Sequence, residues 1–246
     1  MILSKRHKVL RLPILMYHDI HEDNNGPYSI HTDKLILQFD YLKNNGFTAI
    51  STQQLINFID NSAPLPPKPV LITFDDGYKT IVTTLYPILL ERTMKAVAFI
   101  VPSFINESNS ANEKYLSIAD IKKISGEYIE WGIHSYNHGS FKKQTVLEST
   151  EDIKMAIAWF NKNQISFTPS FAFPYGAYPK RSLIKKKHFF FELSVVGMKL
   201  FFRIGNRMNY LNKKNSILFQ RIDITGDETI KTFEKYLRNG KRKTII

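Results

Sequence analysis
Two hydrophobic periods alternate along this chain. Short apolar runs of β type predict strands at Ile14–Tyr17, Phe47–Ile50, Val70–Phe74, Ala96–Val101, Tyr128–Ile133, Ser170–Phe173, Phe190–Val196 and Ile217–Ile224. Between them, apolar residues recur at helical spacing. Thr32 is the expected cap of a helix that places Leu35, Phe39 and Leu42 on one face and stops at Asn45-Gly46. A second helix begins near Ser51, with Leu55, Phe58 and Ile59 expected to be buried. Further helices are expected over Thr80–Arg92 (kinked or restarted at Pro87), Ile118–Ile124, Glu148–Asn161, Arg181–Lys187 and Glu228–Arg238. Pro64-Leu65-Pro66-Pro67-Lys68-Pro69 is a stiff connection, and a polar loop runs to Ala111.

Strands alternating with helices imply a parallel sheet covered by helices. Seven or eight strands in one unit favour a closed α/β structure, a single-domain distorted (β/α) barrel of about seven parallel strands. Its expected extent is residues 13–240, between basic tails at 1–12 and 241–246. In such barrels the chemistry sits in the loops that follow the strands.

Several strands end abruptly in polar residues. Val70-Leu71-Ile72-Thr73-Phe74 runs into Asp75-Asp76-Gly77, and about sixty residues later Ile133 runs into His134-Ser135-Tyr136-Asn137-His138. Asp-Asp-Gly alone suits a turn, and a lone His-x-x-x-His pair suits a helix surface. Two carboxylates at a buried strand end, however, need a cation or donors to offset desolvation and mutual repulsion. One carboxylate with two imidazoles is a sufficient ligand set for a catalytic divalent metal with an open position, and the second carboxylate is left as a general base. Two further strand ends are candidates. Phe171-Ala172-Phe173-Pro174-Tyr175-Gly176 is either a turn or a means of aiming the Tyr175 N–H at an oxyanion, and Met16-Tyr17-His18-Asp19 offers a structural histidine or a general acid.

Composition removes some options. The 246-residue chain has no cysteine, so a metal site must use histidine and carboxylate. No run of 18 apolar residues exists, and the basic N-terminus leads into no long apolar segment, so neither a transmembrane helix nor an export signal is expected from the chain as written. The formal net charge is +12, with basic residues at Lys5–Arg11, Lys180-Arg181, Lys185-Lys186-Lys187 and Lys241–Lys243. These do not interleave with aromatics as a nucleic-acid groove would, so nucleic acid is not an expected partner. Solvated surface is one reading of the charge, and contact with an anionic cell wall or membrane surface is the other.

The two motifs together resemble the polysaccharide deacetylases of carbohydrate esterase family four, the NodB-homology domain, over about Pro13–Leu237. The resemblance implies Asp75 as catalytic base and Asp76, His134 and His138 as ligands of a divalent metal, zinc foremost, with nickel, cobalt or manganese as alternatives. Ala172 stands where that family usually has arginine, and its late leucine-x-histidine motif is missing, since the only histidine after His138 is His188. Both departures are similar to the circularly permuted branch of biofilm poly-N-acetylglucosamine deacetylases. That likeness maps the acid onto His18 and suggests Arg221 as the missing positive charge near Asp75. It implies a monomeric, extracellular or cell-surface hydrolase acting on an N-acetylglucosamine polysaccharide, while the lack of a readable signal leaves a cytosolic location open. Tyr17, Tyr136, Tyr175 and Tyr178 are candidates to stack on sugar. A silent carbohydrate-binding relative and a basic nucleic-acid-binding protein are the competing classes.

Overall fold
Strand alternation explains the architecture, because each barrel strand sends successive side chains to opposite faces. In a computed structural model the described residues are 10–23, 28–60, 62–105, 114–124, 126–180, 182–211 and 217–241. The barrel strands are β1 (Ile14–Tyr17), β2 (Pro69–Asp76), β3 (Ala96–Ile100), β4 (Ile129–Ile133), β5 (Ser170–Ala172), β6 (Leu200–Ile204) and β7 (Leu218–Asp223). The helices are α1 (Thr32–Asn44), α2 (Thr52–Ile59), α3 (Tyr86–Arg92), α4 (Ile118–Lys123), α5 (Val146–Lys162), α6 (Leu183–Val195) and α7 (Ile230–Asn239). All seven strands run parallel in chain order. β1 closes the ring between β7 and β2, with Ile222 opposite Leu15 and Met16 opposite Thr73. The expected seven-stranded parallel barrel is the observed one.

The two faces of the strands feed two apolar cores. Val70, Ile72 and Phe74 of β2 point outward and pack with Leu15, Tyr17, Ala98 and Ile100 beneath the helices. Leu71 points inward with Ile14, Val97, Phe99, Ala172, Leu200, Phe202 and Phe219. Each buried phenylalanine contributes roughly 1.5–3 kcal/mol of apolar transfer. α2 covers the mouth at the strand starts, where Leu55 and Ile56 join the inner core. Its first turn donates Thr52 N–H and Oγ1–H to Glu130 Oε2 at 2.6 and 2.7 Å, a carboxylate on the positive end of the helix. The antiparallel pair Leu10–Leu12 with Asn209–Leu211 lies at the same end, so the last residues assigned to the N-terminal tail are paired strand. Residues 1–9 and 242–246, and with them most of both basic tails, lie outside the described residues, as do 106–111 of the polar loop.

Three local expectations are corrected, and one strand was not anticipated. The run Phe190–Val196 is helix, not strand: α6 is capped by Ser182 and continues through Lys187 to Val195. It buries Phe189, Phe190 and Leu193 while leaving Phe191 and Val195 exposed, a helical spacing that the three consecutive phenylalanines disguised. The strand in that part of the chain is β6, preceded by Lys199 and interrupted by Arg203 and therefore less apolar to the eye. His31, rather than Thr32, caps α1 by accepting from Asp33 N–H. In α2 the fully buried pair is Leu55 and Ile56, and Phe58 and Ile59 are only half-buried. The restart at Pro87 is present, as α3 follows a π-helical turn over Ile81–Leu85.

Gly132 is the tightest point of the inner core. A methyl group there would lie 2.5 Å from Phe99 Cδ1 and 2.8 Å from Ser170 Oγ. Gly132→Ala is therefore expected to lower stability by about 1–3 kcal/mol in urea unfolding. Phe99→Leu in the same chain should recover part of the loss; strictly additive losses would show that the clash is not with Phe99.

Candidate active site
At the top of the inner core the apolar filling gives way to charge. Asp75 on β2 and Arg221 on β7 both face inward, and a bidentate pair spans the space beneath β1, at 2.6 Å from Nη1 to Oδ1 and 2.7 Å from Nη2 to Oδ2. Arg221 is fully buried and Asp75 is 2% exposed. The guanidinium also donates to Thr73 Oγ1 at 3.3 Å and lies 5.5 Å from the centroid of the Phe99 ring. Burial alone would push the Asp75 carboxyl up, but Arg221 and His134, with a smaller part from His18, outweigh it and hold it at about 2. The charge suggested by Arg221 is thus in contact with Asp75.

Asp76 faces the other way. Its φ of 73° turns the carboxylate out of the strand toward the loops after β4. There Asp76 Oδ1 lies 3.5 Å from His134 Nε2 and 3.3 Å from His138 Nε2. Ligands about 2.0–2.2 Å from a tetrahedral metal sit about 3.3–3.5 Å apart, so this spacing fits a shared cation. Among the described residues the buried Oδ1 has no hydrogen-bond partner, which suits a ligand position. His134 Nδ1 is 2.8 Å from the Ala172 carbonyl, which can only accept, so the neutral ring turns a bare Nε2 toward Asp76. Burial holds His134 below its ordinary value against the pull of both aspartates, and Asp76 is lowered despite its own burial, by His138 and His134. Both groups are in the protonation state a metal requires. Asp76, His134 and His138 are the three-residue set able to hold a metal among the described residues.

The loop after β4 holds this arrangement through a residue that the sequence reading did not single out. Ser135 and His138 have φ of 70° and 56°, left-handed conformations that need outside support. Asp152, on α5, supplies it: its carboxylate accepts from Ser135 Oγ and Tyr136 N–H, both at 2.9 Å, and from Asn137 N–H at 3.4 Å. Burial raises the Asp152 carboxyl above its usual range, with these hydrogen bonds opposing. Its helical position, amid ordinary surface acids, gave no signal of this in the sequence.

His18 follows β1 directly, between the strands of Arg221 and Asp75, and its charge acts on Asp75 and Asp76. Its buried Nδ1 has no hydrogen-bond partner among the described residues. The exposed Tyr28 ring meets it edge-on, with centroids 5.3 Å apart. Tyr175 has a φ of 58° and is two-thirds exposed, and its hydroxyl shares a 3.1 Å hydrogen bond with His138 Nδ1. The side chain therefore steadies a candidate metal ligand, besides whatever its backbone N–H does. Of the aromatics considered for sugar stacking, Tyr17 and Tyr178 are buried, Tyr136 is half-buried, and Tyr175 is open.

A family model described as polysaccharide deacetylase matches residues 62–189. A poly-beta-1,6-N-acetyl-D-glucosamine N-deacetylase of Staphylococcus epidermidis is 26% identical over 162 residues, 61% of this chain and 54% of that protein. Among solved structures, a Streptococcus pyogenes deacetylase, PplD, in complex with acetate superposes with a TM-score of 0.75 at 19% identity, over 96% of this chain and all of the other. IcaB from Ammonifex degensii gives 0.75 at 20% identity, over 93% and 96%. The chain spans between 13% and 62% of the length of the curated relatives it matches.

The buried pair makes a clear demand on stability. In metal-free protein, Arg221→Met strands a buried carboxylate and is expected to cost about 3–5 kcal/mol at pH 7. In the wild type, ionised Asp75 contributes stability that is full above the ordinary carboxylate range and is lost as pH falls through about 2. In the variant burial is unopposed by the guanidinium, so protonation relieves the molecule. The gap between the two proteins in urea unfolding should therefore narrow from pH 7 toward pH 4. A gap independent of pH would mean that Arg221 stabilises by packing alone.

Proposed function
The chain belongs to the polysaccharide deacetylase family, and on that footing we propose that it is a metal-dependent hydrolase that removes N-acetyl groups from an N-acetylglucosamine polysaccharide and releases acetate. One observation carries the reading: a metal-ready trio of Asp76, His134 and His138 stands beside a separately neutralised carboxylate, Asp75. Zinc suits this donor set best, as it takes nitrogen and oxygen ligands at tetrahedral spacing and tolerates an open position. A bound cation would supply Lewis acidity toward the acetamide carbonyl and toward water.

The chain's own residues divide the remaining work. Asp75, kept ionised by Arg221, accepts a proton from the attacking water. The Tyr175 N–H, in the turn Pro174–Gly176 whose tyrosine hydroxyl meets His138, is offered to the developing oxyanion. His18, with its unpaired ring nitrogen, donates a proton to the departing glucosamine nitrogen. The products are acetate and an amine that is cationic at neutral pH. The likeness to poly-N-acetylglucosamine deacetylases supports that polymer as the substrate, which lies at the cell surface, and the basic surface supports contact with anionic wall or membrane material there. No helix among the described residues is long and apolar enough to cross a membrane.

Roles of the two neighbouring aspartates separate by mutation. Asp76→Ala, His134→Ala and His138→Ala should each abolish bound metal and acetate release together. Asp75→Asn should retain metal, yet lose about 10²-fold or more in turnover. Stoichiometric metal in His138→Ala, or loss of metal from Asp75→Asn, would overturn the division. A wild type that binds N-acetylglucosamine oligomers but releases no acetate with any divalent metal would instead be a silent carbohydrate-binding relative.

His18 is tested by the leaving group. An amine departs poorly without a proton, whereas an activated phenolate departs unaided. His18→Ala should therefore depress amide turnover far more than turnover of an activated acetate ester, at unchanged metal content. Equal losses on both substrates would make His18 a structural residue.

A further inference from the structure
Beyond Tyr175 the surface falls into a second, strongly basic hollow. It has a volume of about 580 Å³ and is lined by Lys142, Tyr175, Tyr178, Lys180, Ser182 and Lys185 among others. Tyr175 is common to both places, since its hydroxyl touches His138 while the residue lines the hollow. Around the buried Tyr178 ring stand three cations. Lys180 Nζ lies 5.1 Å from the centroid, Arg203 Cζ 5.5 Å and Lys186 Nζ 5.8 Å.

The ring face attracts each of them, but by a modest amount, and they repel one another. No carboxylate offsets this: among the described residues none of Lys142, Lys180, Lys185, Lys186 and Arg203 has an acidic partner within 4.0 Å. Burial holds Lys180 below its ordinary value, and the charged groups that act on it, Arg203, Lys142 and Lys186, are all cationic. α6 begins at the same rim with its cap Ser182, which adds the positive end of a helix. Three lysines, Lys142, Lys180 and Lys185, line the hollow, and Lys186 and Arg203 stand beside the Tyr178 ring of its wall. Cations left unneutralised around a concave site amount to a preformed anion site, since an anion relieves the repulsion and gains the attractions at once. The volume suits a sugar residue and a substituent.

We propose that this hollow is a specificity subsite for an anionic group, a phosphate or a carboxylate, carried by the glycan next to the N-acetyl sugar under attack. The proposal rests on the deacetylase reading for the neighbouring site and refines its substrate class from neutral to anionic N-acetylglucosamine polymer. Lys142 and Lys180, both in its lining and close enough to repel each other, hold the anion, and Tyr175 joins the two sites.

The test uses the full chain with its metal and three N-acetylglucosamine oligomers of equal length: neutral, bearing one phosphate, and bearing one carboxylate. Acetate release gives kcat/KM, and calorimetry gives Kd for the same oligomers. The wild type should prefer an anionic oligomer about five- to tenfold, the size expected of two exposed charge contacts. The preference should shrink toward parity at about 0.5 M salt and in Lys142→Ala/Lys180→Ala. Preference for the phosphorylated oligomer alone would identify the anion as phosphate, and preference for both would identify any oxyanion. Equal kcat/KM and Kd across the oligomers in the wild type, or a preference that survives in the double variant, would overturn the subsite. Acetate release from the neutral oligomer without anionic preference defeats the subsite and leaves the deacetylase reading standing. A calorimetric preference that depends on the two lysines, with no acetate from any oligomer, defeats the deacetylase reading and leaves the subsite standing.

Discussion
Two adjacent carboxylates at the end of one buried strand are the constraint around which this molecule is built. Left alone, neighbouring burial and mutual repulsion would drive one of them to take up a proton. The fold keeps both ionised by giving them different partners. Strand alternation points Asp75 down into the barrel, where Arg221 grips both of its oxygens. The left-handed turn at Asp76 swings the second carboxylate up and away, toward two imidazoles. A guanidinium inside the inner core is tolerable only because Asp75 and Thr73 accept from it and Phe99 presents a ring face.

Chain order makes this solution possible. β1 is both the first barrel strand and the one that closes the ring, so the residues on β7 and β2 face each other across it. Arg221 therefore reaches Asp75 from a strand almost 150 residues away in sequence, occupying the need left open where Ala172 stands. The same closure sets His18 above the pair. The candidate base, its counter-charge and the candidate acid come from three adjacent strands of the ring, while the two candidate metal-ligating histidines follow β4. His134 also lies 3.6 Å from Asp75 Oδ2, so the two groups touch at that imidazole.

Much of the frame was legible because strands covered on both sides announce themselves. Val70–Phe74 and Ala96–Ile100 are apolar runs, and the polar residues that stop the first, Asp75 and Asp76, are among those the structure gathers at one end of the barrel. What the sequence hid has physical reasons. The run from Phe190 read as a strand because consecutive aromatics carry no period, and only packing decides that Phe189 and Phe190 are inside and Phe191 outside. β6 escaped notice because Lys199 precedes it and Arg203 breaks its apolar run. Asp152 and the Tyr175 hydroxyl act only through tertiary contacts, on Ser135 and His138, and a helix or turn position carries no local mark of such a role.

The strained backbone at this end is consistent with function resting on position rather than on local preference. Asp76, Ser135, His138 and Tyr175 all take positive φ without being glycine. Such conformations cost on the order of 1–3 kcal/mol each and persist only where surroundings over-determine them. Here the surroundings are identifiable: the Asp152 carboxylate braces Ser135 and the residues after it, the Ala172 carbonyl fixes the His134 ring, and the Tyr175 hydroxyl meets His138. Each brace comes from a different element, α5, β5 and the turn after β5. A change that loosens any one of them shifts a candidate ligand without touching it. The site is thus held by the packing of the barrel wall, and Tyr175, whose hydroxyl meets His138, also lines the basic hollow beside it.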